Sequence, residues 1–249
     1  MPPVDSHTPV FEVCVDDPAG LADAIAGGAD RIELCAALAL GGLTPAPGLI
    51  EQAAETDVPI FAMIRPRPGG FLYSADELDA ARRDIRAVRQ AGLAGIVFGA
   101  TDTTGRLDRD AIQQLRDAAG DLPMVLHRAF DVTPDPAEAL ETAIDLGFVR
   151  ILTSGGAATA PEGVDALAAL VRQAAGRIAI MAGGGVDAAS VAPLLAAGVH
   201  DLHGSCSEVL ADTGPVGRLR IAPTRAQTSV TKVRDMRRAI DAATMEQPA

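Results

Sequence analysis

A chain of 249 residues with 48% hydrophobic and 22% charged residues can bury a large core, and its length fits one large α/β barrel or two small domains. The formal charge of −12 opposes binding to nucleic acid and to anionic membranes, because its long-range field repels phosphate. Lys232 is the only lysine among 21 basic residues, which argues against a Schiff-base enzyme with its lysine on a barrel strand.

Cysteine usage and the N-terminal sequence indicate the compartment. Three cysteines in a chain of this length do not make a disulfide framework, so we expect free thiols in a reducing environment. The first residues, MPPVDSHTPVFEV, contain no basic region followed by an apolar one, and no apolar run approaches the roughly 20 residues of a membrane helix. The sequence therefore predicts a cytoplasmic protein without a membrane partner.

Short apolar runs rich in β-branched residues alternate with longer Ala-rich amphipathic runs, which is the pattern of repeated βα units. The apolar runs predict eight strands: VFEVCV (10–15), RIELC (31–35), PIFAMIRP (59–66), GIVFGA (95–100), PMVLHRAF (123–130), RILTSG (150–155), RIAIMAG (177–183) and DLHGS (201–205).

The clearest helices lie between these strands, and several begin at a capping residue such as Ser74, Asp108 or Asp187. Their predicted ranges are 18–26, 74–91, 108–119, 136–146, 161–175, 188–197 and 231–243.

This alternation of strands and helices is typical of a (β/α)8 barrel of the TIM type, and this α/β fold is the prediction. We expect one domain over residues 1–249, with the barrel strands at about 10–206 and a C-terminal extension, the last loop and helix, at 207–249. An open doubly wound sheet is the alternative, but no GxGxxG motif follows the first strand. The long loop between Cys206 and Ser229 is expected to fold over the barrel mouth or to mediate assembly.

The second predicted strand, RIELC, places three polar residues on one parity, Arg31, Glu33 and Cys35, and two apolar residues on the other. In a barrel, one parity faces the helices and the other faces the interior. The polar residues are therefore predicted to line the barrel, with Ile32 and Leu34 packed against the helices.

The first strand has the same arrangement. Phe11, Val13 and Val15 are predicted to face the helices, and Glu12 and Cys14 to face the interior. Two neighbouring strands thus repeat the motif Glu-x-Cys.

Charged side chains are concentrated near the ends of four strands, where barrel enzymes keep catalytic groups. In a catalytic interpretation, carboxylates and a histidine act as acid and base, and arginines hold the charge of the substrate. The alternative is a structural polar network in which the glutamates pair with Arg31 and Arg65. The catalytic candidates are Glu12, Glu33, Arg65, His127, Arg128 and Asp131.

Small residues follow each of the last three strands, in TSGGA, AGGGVD and HGSCS. Glycines there allow backbone N–H groups to approach an anion, and the loops after strands seven and eight are the usual phosphate position in these barrels. The alternative is a set of tight strand-to-helix turns. The predicted anion-binding residues are Ser154, Gly155, Gly184, Gly185 and Ser205.

Cys14 and Cys35 lie on neighbouring strands, about 4.8 Å apart, so that two inward thiols could approach each other. Soft thiolates select soft ions such as Cu(I), and His127 or His203 could assist. The alternative is that both cysteines are small buried apolar residues. His7 and His200 are given no role, and no organic cofactor is predicted.

Many separate motifs of the chain, taken in order, closely resemble those of the CutC family, often called copper homeostasis proteins. The resemblance covers roughly residues 10–206. It implies a TIM-type barrel, a cytoplasmic location and a homodimer, and Cys14 and Cys35 match the two family cysteines proposed to hold Cu(I). The motifs are EVCVD, GGADRIELC, LALGGLTPAPGLI, FAMIRPR, FGATDTTGRLD, HRAFDVTPDP, RILTSGGA, IMAGGGV and LHGS.

Two functions remain open at this point. The resemblance implies copper homeostasis, with Cu(I) held by Cys14 and Cys35. The residues themselves favour a metal-independent isomerase, epimerase or lyase for a small anionic or phosphorylated metabolite, with Glu12, Glu33 and His127 among its acid and base groups. A divalent-metal enzyme and a scaffold without ligand are less favoured.

Overall fold

The computed structural model of the protein describes residues 9–211, 215, 219 and 224–245. Eight parallel strands form a closed barrel in chain order, and the eighth pairs with the first. The predicted TIM-type fold and all eight predicted strands are confirmed, although most strands are shorter than expected. The strands are β1 (Val10–Val15), β2 (Arg31–Leu34), β3 (Ile60–Met63), β4 (Gly95–Phe98), β5 (Met124–Leu126), β6 (Arg150–Thr153), β7 (Ala179–Ala182) and β8 (Asp201–Gly204).

Helices surround the barrel, and none of those described is long and apolar enough to cross a membrane. Short 3-10 turns at Leu38–Leu40 and Phe130–Val132 follow β2 and β5. The helices are α1 (Pro18–Gly27), α2 (Pro47–Ala54), α3 (Ala75–Ala91), α4 (Arg109–Ala119), α5 (Pro136–Asp145), α6 (Val164–Ala174), α7 (Val191–Ala196) and α8 (Val230–Met245).

Helix starts agree with the sequence where a side chain caps the first turn. Ser74 forms a capping box with Glu77 at the start of α3, and Asp108 accepts a hydrogen bond from the N–H of Ala111 at the start of α4. The start predicted for the seventh helix is wrong. Asp187 instead accepts a hydrogen bond from the N–H of Ser190 in a turn, and α7 begins at Val191.

Helix α2 was not among the predicted helices. It has eight residues, and Ala46 at its N-cap makes no side-chain hydrogen bond, so Pro47 at the first helical position is the start signal that the sequence contains. Helix α6 begins at Val164, three residues after the predicted start, and Gly163 caps it without a side chain. Both differences arise where the capping residue cannot accept a hydrogen bond.

The two parities of the strands form separate cores, as predicted. Phe11, Val13, Val15, Ile32 and Leu34 are fully buried in the large core between barrel and helices. A second, smaller apolar cluster fills the barrel interior and consists of Cys35, Phe61, Met63, Val97, Val125, Leu152 and Met181. The polar residues that face the barrel interior therefore lie beside this apolar cluster.

A two-stranded antiparallel hairpin follows the barrel and is formed by β9 (Ser207–Ala211) and β10 (Thr224–Thr228). Its residues Ser207, Ala226 and Thr228 line a cavity at the barrel mouth. The described part of the C-terminal loop therefore lies over the mouth, which is one of its two predicted positions. His7 lies outside the described residues.

Gly183 follows β7 where this strand is enclosed by its neighbours. A Cβ atom there would lie 2.4 Å from Cδ1 of Leu152 and 3.3 Å from Cβ of His203. We expect Gly183→Ala to lower the free energy of unfolding by about 1–3 kcal/mol, because the added methyl group overpacks a closed site. Urea denaturation measures the effect. Gly48→Ala is the control, since a Cβ at Gly48 meets nothing within 4 Å, and equal stability of the two variants would contradict the prediction.

Candidate active site

A cavity of about 560 Å³ lies at the C-terminal mouth of the barrel. Its wall contains residues from β1, β2, β3, β6 and β8, from the loops after β1, β2, β3, β5, β7 and β8, and from the β9–β10 hairpin. This is the end of the barrel at which TIM-type enzymes hold their substrates. Five of its residues carry the chemistry discussed below: Cys14, Glu33, His127, Arg128 and His203.

Glu12 lies below this cavity and belongs to a buried ionic network. The strand register places it between Arg31 on β2 and His203 on β8. One carboxylate oxygen accepts a hydrogen bond from Nε of Arg31, and the other lies 2.8 Å from Nδ1 of His203. Burial alone would raise the pKa of Glu12, but the Arg31 charge and the His203 hydrogen bond hold it far below the ordinary range. The contacts of Glu12 therefore favour a role in a structural polar network over a catalytic role.

Two members of this network were not found in the sequence. Asp201 accepts a hydrogen bond of 3.0 Å from Nη2 of Arg31 and also pairs with Arg150. Asp201 shares its strand parity with His203, and Arg150 shares its parity with the inward-facing Leu152. The parity rule that identified Glu12 would therefore have found both residues.

Glu33, unlike Glu12, lines the cavity. Its residue is 3% exposed, and its Oε1 atom is buried without a hydrogen-bond partner among the described residues. The other oxygen accepts a hydrogen bond of 3.5 Å from Sγ of Cys35 and lies 3.8 Å from Nε2 of His203. Burial raises the pKa of Glu33, although the His203 charge opposes this shift. Glu33 therefore retains its proton to a higher pH than an exposed glutamate does.

His127 is a buried, neutral imidazole. Its Nδ1 atom accepts a hydrogen bond of 3.1 Å from the N–H of Ala129, so Nε2 carries the proton. Burial and the neighbouring Arg65 charge lower the pKa of His127 to about 3. Its Nε2 atom is buried without a partner among the described residues, and the ring lines the cavity. The side chain thus offers an unused N–H donor.

His203 differs from His127 because it is surrounded by acidic groups. Burial alone would lower the pKa of His203, but the charges of Cys14 and Glu33 and hydrogen bonds to Cys14 and Glu12 raise it well above its ordinary value. The sequence suggested His203 only as an assistant in metal binding. The structure places it between the buried Glu12 and the cavity residue Glu33.

Arg65 lines the cavity, but its guanidinium is largely engaged by the protein. Nη1 donates to the carbonyls of Leu40 and Gly42 at 3.0 Å, and Nη2 donates to the carbonyl of Gly69 at 2.8 Å. The guanidinium also lies over the Phe71 ring, with its central carbon 5.3 Å from the ring centroid. Arg65 therefore organises the loops after β2 and β3.

The predicted anion-binding residues do not all reach the cavity. Gly184, Gly185 and Ser205 form part of its wall, whereas Ser154 and Gly155 do not. The N–H of Ser154 already donates to the Asp131 carboxylate, and the N–H of Gly155 donates to the Thr153 hydroxyl at 2.9 Å. Only the glycines after β7 and the serine after β8 are placed to contact a ligand.

The two candidate copper ligands have different surroundings. Cys14 is in register with Glu33, not with Cys35, and ligand atoms of Cys14, Glu33 and His203 all lie within 4.8 Å of one another. Cys35 is not in this group. It is fully buried, and burial raises the pKa of its thiol well above the ordinary range. The third thiol, Cys206, is half-buried, and burial raises its pKa to about 12.

Comparisons with known proteins agree with the sequence motifs. The family model described as the CutC family matches residues 10–208. The chain belongs to the CutC family. A family protein CutC of Rhizobium meliloti (strain 1021) is 51% identical over 239 residues, which cover 93% of this chain and 96% of the relative. A second, from Caulobacter vibrioides (strain NA1000 / CB15N), is 57% identical over 81% of this chain and 83% of its own length.

A solved CutC structure shows the same fold. The CutC protein of Streptococcus agalactiae, which is named for copper homeostasis, is 35% identical and has a TM-score of 0.76 over 80% of this chain and 99% of its own. The family resemblance found in the sequence is thus confirmed.

Proposed function

We propose that this CutC-family protein is an acid–base enzyme for a small anionic molecule that binds in the barrel-mouth cavity. One observation carries the proposal: three residues line one cavity, and each has a buried polar atom without a hydrogen-bond partner among the described residues, namely Oε1 of Glu33, Nε of Arg65 and Nε2 of His127. Leaving a buried polar atom unpaired costs about 1–3 kcal/mol, so three such atoms on the residues around one cavity favour a ligand that completes them.

Glu33 and His127 suit complementary steps. Glu33, whose pKa burial raises, can accept a proton from the ligand and return it. His127 stays neutral because its pKa is about 3, so its Nε2–H can donate a hydrogen bond to a ligand oxygen without transferring a proton. This combination of a carboxylate base and a neutral donor supports removal of a proton next to a carbonyl group, as in isomerases, epimerases and lyases.

Proton exchange tests this proposal without knowledge of the product. Small 2-oxo acids, 2-hydroxy acids and sugar phosphates are incubated with the protein in deuterated water, and loss of the carbon-bound proton signal is followed by NMR. We expect exchange in at least one compound with the wild-type protein and none with Glu33→Gln. Equal exchange in both proteins would contradict the role of Glu33.

A second candidate function is capture of Cu(I), which the group of Cys14, Glu33 and His203 favours. Cu(I) prefers thiolate and imidazole ligands, and this group offers one of each. Nδ1 of His203 is engaged with Glu12, which leaves Nε2 to bind the metal, and such carboxylate–histidine pairs are common around metal sites. The single thiol and the competing proton on His203 make this candidate the weaker one.

Copper titration separates the roles of the two cysteines. In competition with a chromogenic chelator, we expect Cys14→Ser to lower the Cu(I) affinity of the reduced protein at least about tenfold. Cys35→Ser should leave the affinity nearly unchanged, because Cys35 is fully enclosed and its thiol resists ionisation. Equal loss in both variants would instead support the two-thiolate site that the sequence predicted.

Three further features belong to the proposal: a cytoplasmic location, a homodimer, and no organic cofactor or nucleic-acid partner. The formal charge of −12 supports the absence of a nucleic-acid partner. Light scattering after size-exclusion chromatography tests the dimer, and cell fractionation tests the location.

A further inference from the structure

Asp131 lies in the loop after β5, and its carboxylate binds the backbone and side-chain donors of the loop after β6. Its Oδ1 atom accepts hydrogen bonds from the Thr153 hydroxyl and from the N–H of Gly156 at 3.1 Å. The N–H of Ser154 lies 3.2 Å from its Oδ2 atom, and the side chain is 7% exposed. The donors that a glycine-rich loop can offer to a ligand anion are therefore already used by a carboxylate of the protein.

The same carboxylate holds Arg128. Nε of Arg128 donates to Oδ2 of Asp131 at 2.8 Å, and Nη2 donates to the Ser154 hydroxyl at 2.8 Å. These two bonds fix the plane of the guanidinium and leave Nη1 without a protein partner in the described part of the chain. Nη1 lies beside Gly184, since a Cβ atom at that glycine would be 3.1 Å from it. Arg128 lines the cavity, and its Nη1 group is available there to donate hydrogen bonds to a ligand.

Gly184 and Gly185 form a turn that can hold an anion. Both have left-handed backbone conformations, with φ of 96° and 70°. Among the described residues, their N–H groups donate to no acceptor. Consecutive free amides of this kind make a concave site for a negatively charged group. Here they lie beside Nη1 of Arg128.

We propose that Asp131 is a positioning residue that aims Arg128 at the Gly184–Gly185 turn, and that this turn binds the carboxylate of the ligand. The inference rests on the proposed function and narrows its substrate class. Asp131 offsets the charge of Arg128, and Asp16 and Glu33 add acidic groups to the same cavity wall. A singly charged carboxylate therefore meets less repulsion there than a doubly charged phosphate.

Formate rescue of Asp131→Ala tests the positioning role. Without the carboxylate, several buried donors lose their acceptor, and we expect the midpoint of thermal unfolding of the full chain to fall by roughly 5–10 °C. Formate fits the vacated position, so it should raise the midpoint of Asp131→Ala more than that of the wild-type protein. Asp131→Asn is the matched control, because its amide fills the position, so formate should raise its midpoint no more than that of the wild-type protein. An Asp131→Ala protein that is fully stable, or that formate stabilises no more than wild type, would overturn the positioning role.

Anion titration tests the ligand class. At constant ionic strength, acetate should stabilise the wild-type protein at lower concentration than inorganic phosphate does, and Arg128→Gln should abolish the acetate effect. Stronger stabilisation by phosphate, or an acetate effect that survives in Arg128→Gln, would overturn the carboxylate subsite. The stabilisation of Asp131→Ala by formate beyond that of wild type reports on Asp131, whereas proton exchange reports on Glu33, so each proposal can fail without the other.

Discussion

Replacing Arg31 with Met is expected to lower the free energy of unfolding by about 3–5 kcal/mol. Arg31 is 6% exposed and is the charged partner of Glu12, which is fully buried. Methionine keeps much of the volume but removes the guanidinium from one Glu12 oxygen and leaves His203, 2.8 Å from the other, as the remaining partner. Guanidinium chloride denaturation at pH 7 measures the loss.

The double variant Glu12→Gln/Arg31→Met is the control for this result. It removes both charges, so it should recover a large part of the lost stability, because a buried pair replaced as a whole costs much less than a broken pair. Asp201 keeps Arg150 as its partner in both variants. If the double variant is as unstable as Arg31→Met, packing of the arginine stem, not the uncompensated charge, is the cause.

The pH dependence gives an independent check of the same pair. Because the pKa of Glu12 is lowered in the folded protein, its contribution to stability is present above the unfolded pKa, about 4.3, and is lost as pH falls through the folded pKa. Arg31→Met removes the charge that lowers this pKa most, while His203 stays in place. The stability difference between wild type and variant should therefore shrink as pH falls below about 4.

Glu33→Gln is expected to abolish proton exchange, with a loss of about 10²–10⁴-fold, and to leave the protein as stable as wild type or more stable at pH 7.5. Glutamine has nearly the same shape but cannot accept the proton. It also removes a carboxylate whose Oε1 atom is buried and unpaired among the described residues. Thermal unfolding and NMR exchange on the same samples measure both effects.

The sign of the pH dependence distinguishes a catalytic Glu33 from a structural one. The pKa of Glu33 is raised in the folded protein, so the protein loses stability as pH rises through that pKa, and Glu33→Gln does not. The advantage of the variant should therefore be absent near pH 4 and grow toward pH 8. His127→Gln is a useful companion with the opposite trend: because the pKa of His127 is lowered to about 3 in the folded protein, wild type loses stability as pH falls below the unfolded value of about 6.5, so the advantage of this variant should grow from pH 8 toward pH 5. A Glu33→Gln protein that is less stable at every pH would instead make Glu33 part of the structural network.

Much of the site was visible in the sequence because strand parity is a local property. The alternation in RIELC and VFEVCV placed Glu12, Glu33 and both cysteines in the barrel interior, and the structure confirms that separation from the outer core. Parity alone could not rank the two glutamates. Glu12 has both oxygens engaged and Glu33 has one unpaired. This difference depends on Arg31 of β2 and His203 of β8, which reach Glu12 from the two strands beside its own.

The anion site illustrates the same limit. Glycine-rich turns after strands six and seven look alike in the sequence, as TSGGA and AGGGVD. They differ in the structure because Asp131, which belongs to the loop after β5, already occupies the amides of the first turn. A distant side chain therefore decided which of the two turns remains available to a ligand.

The sequence by itself determined the barrel, its eight strands, its family and the set of polar residues that face inward. These properties follow from local periodicity and from motifs that are contiguous along the chain. Only the tertiary structure decided which polar groups satisfy one another and which remain for a ligand. Register between neighbouring strands sets this outcome, since it places Cys14 opposite Glu33, not opposite Cys35, and Glu12 between Arg31 and His203. Hydrogen bonding across strands depends on positions that no single segment of the chain contains.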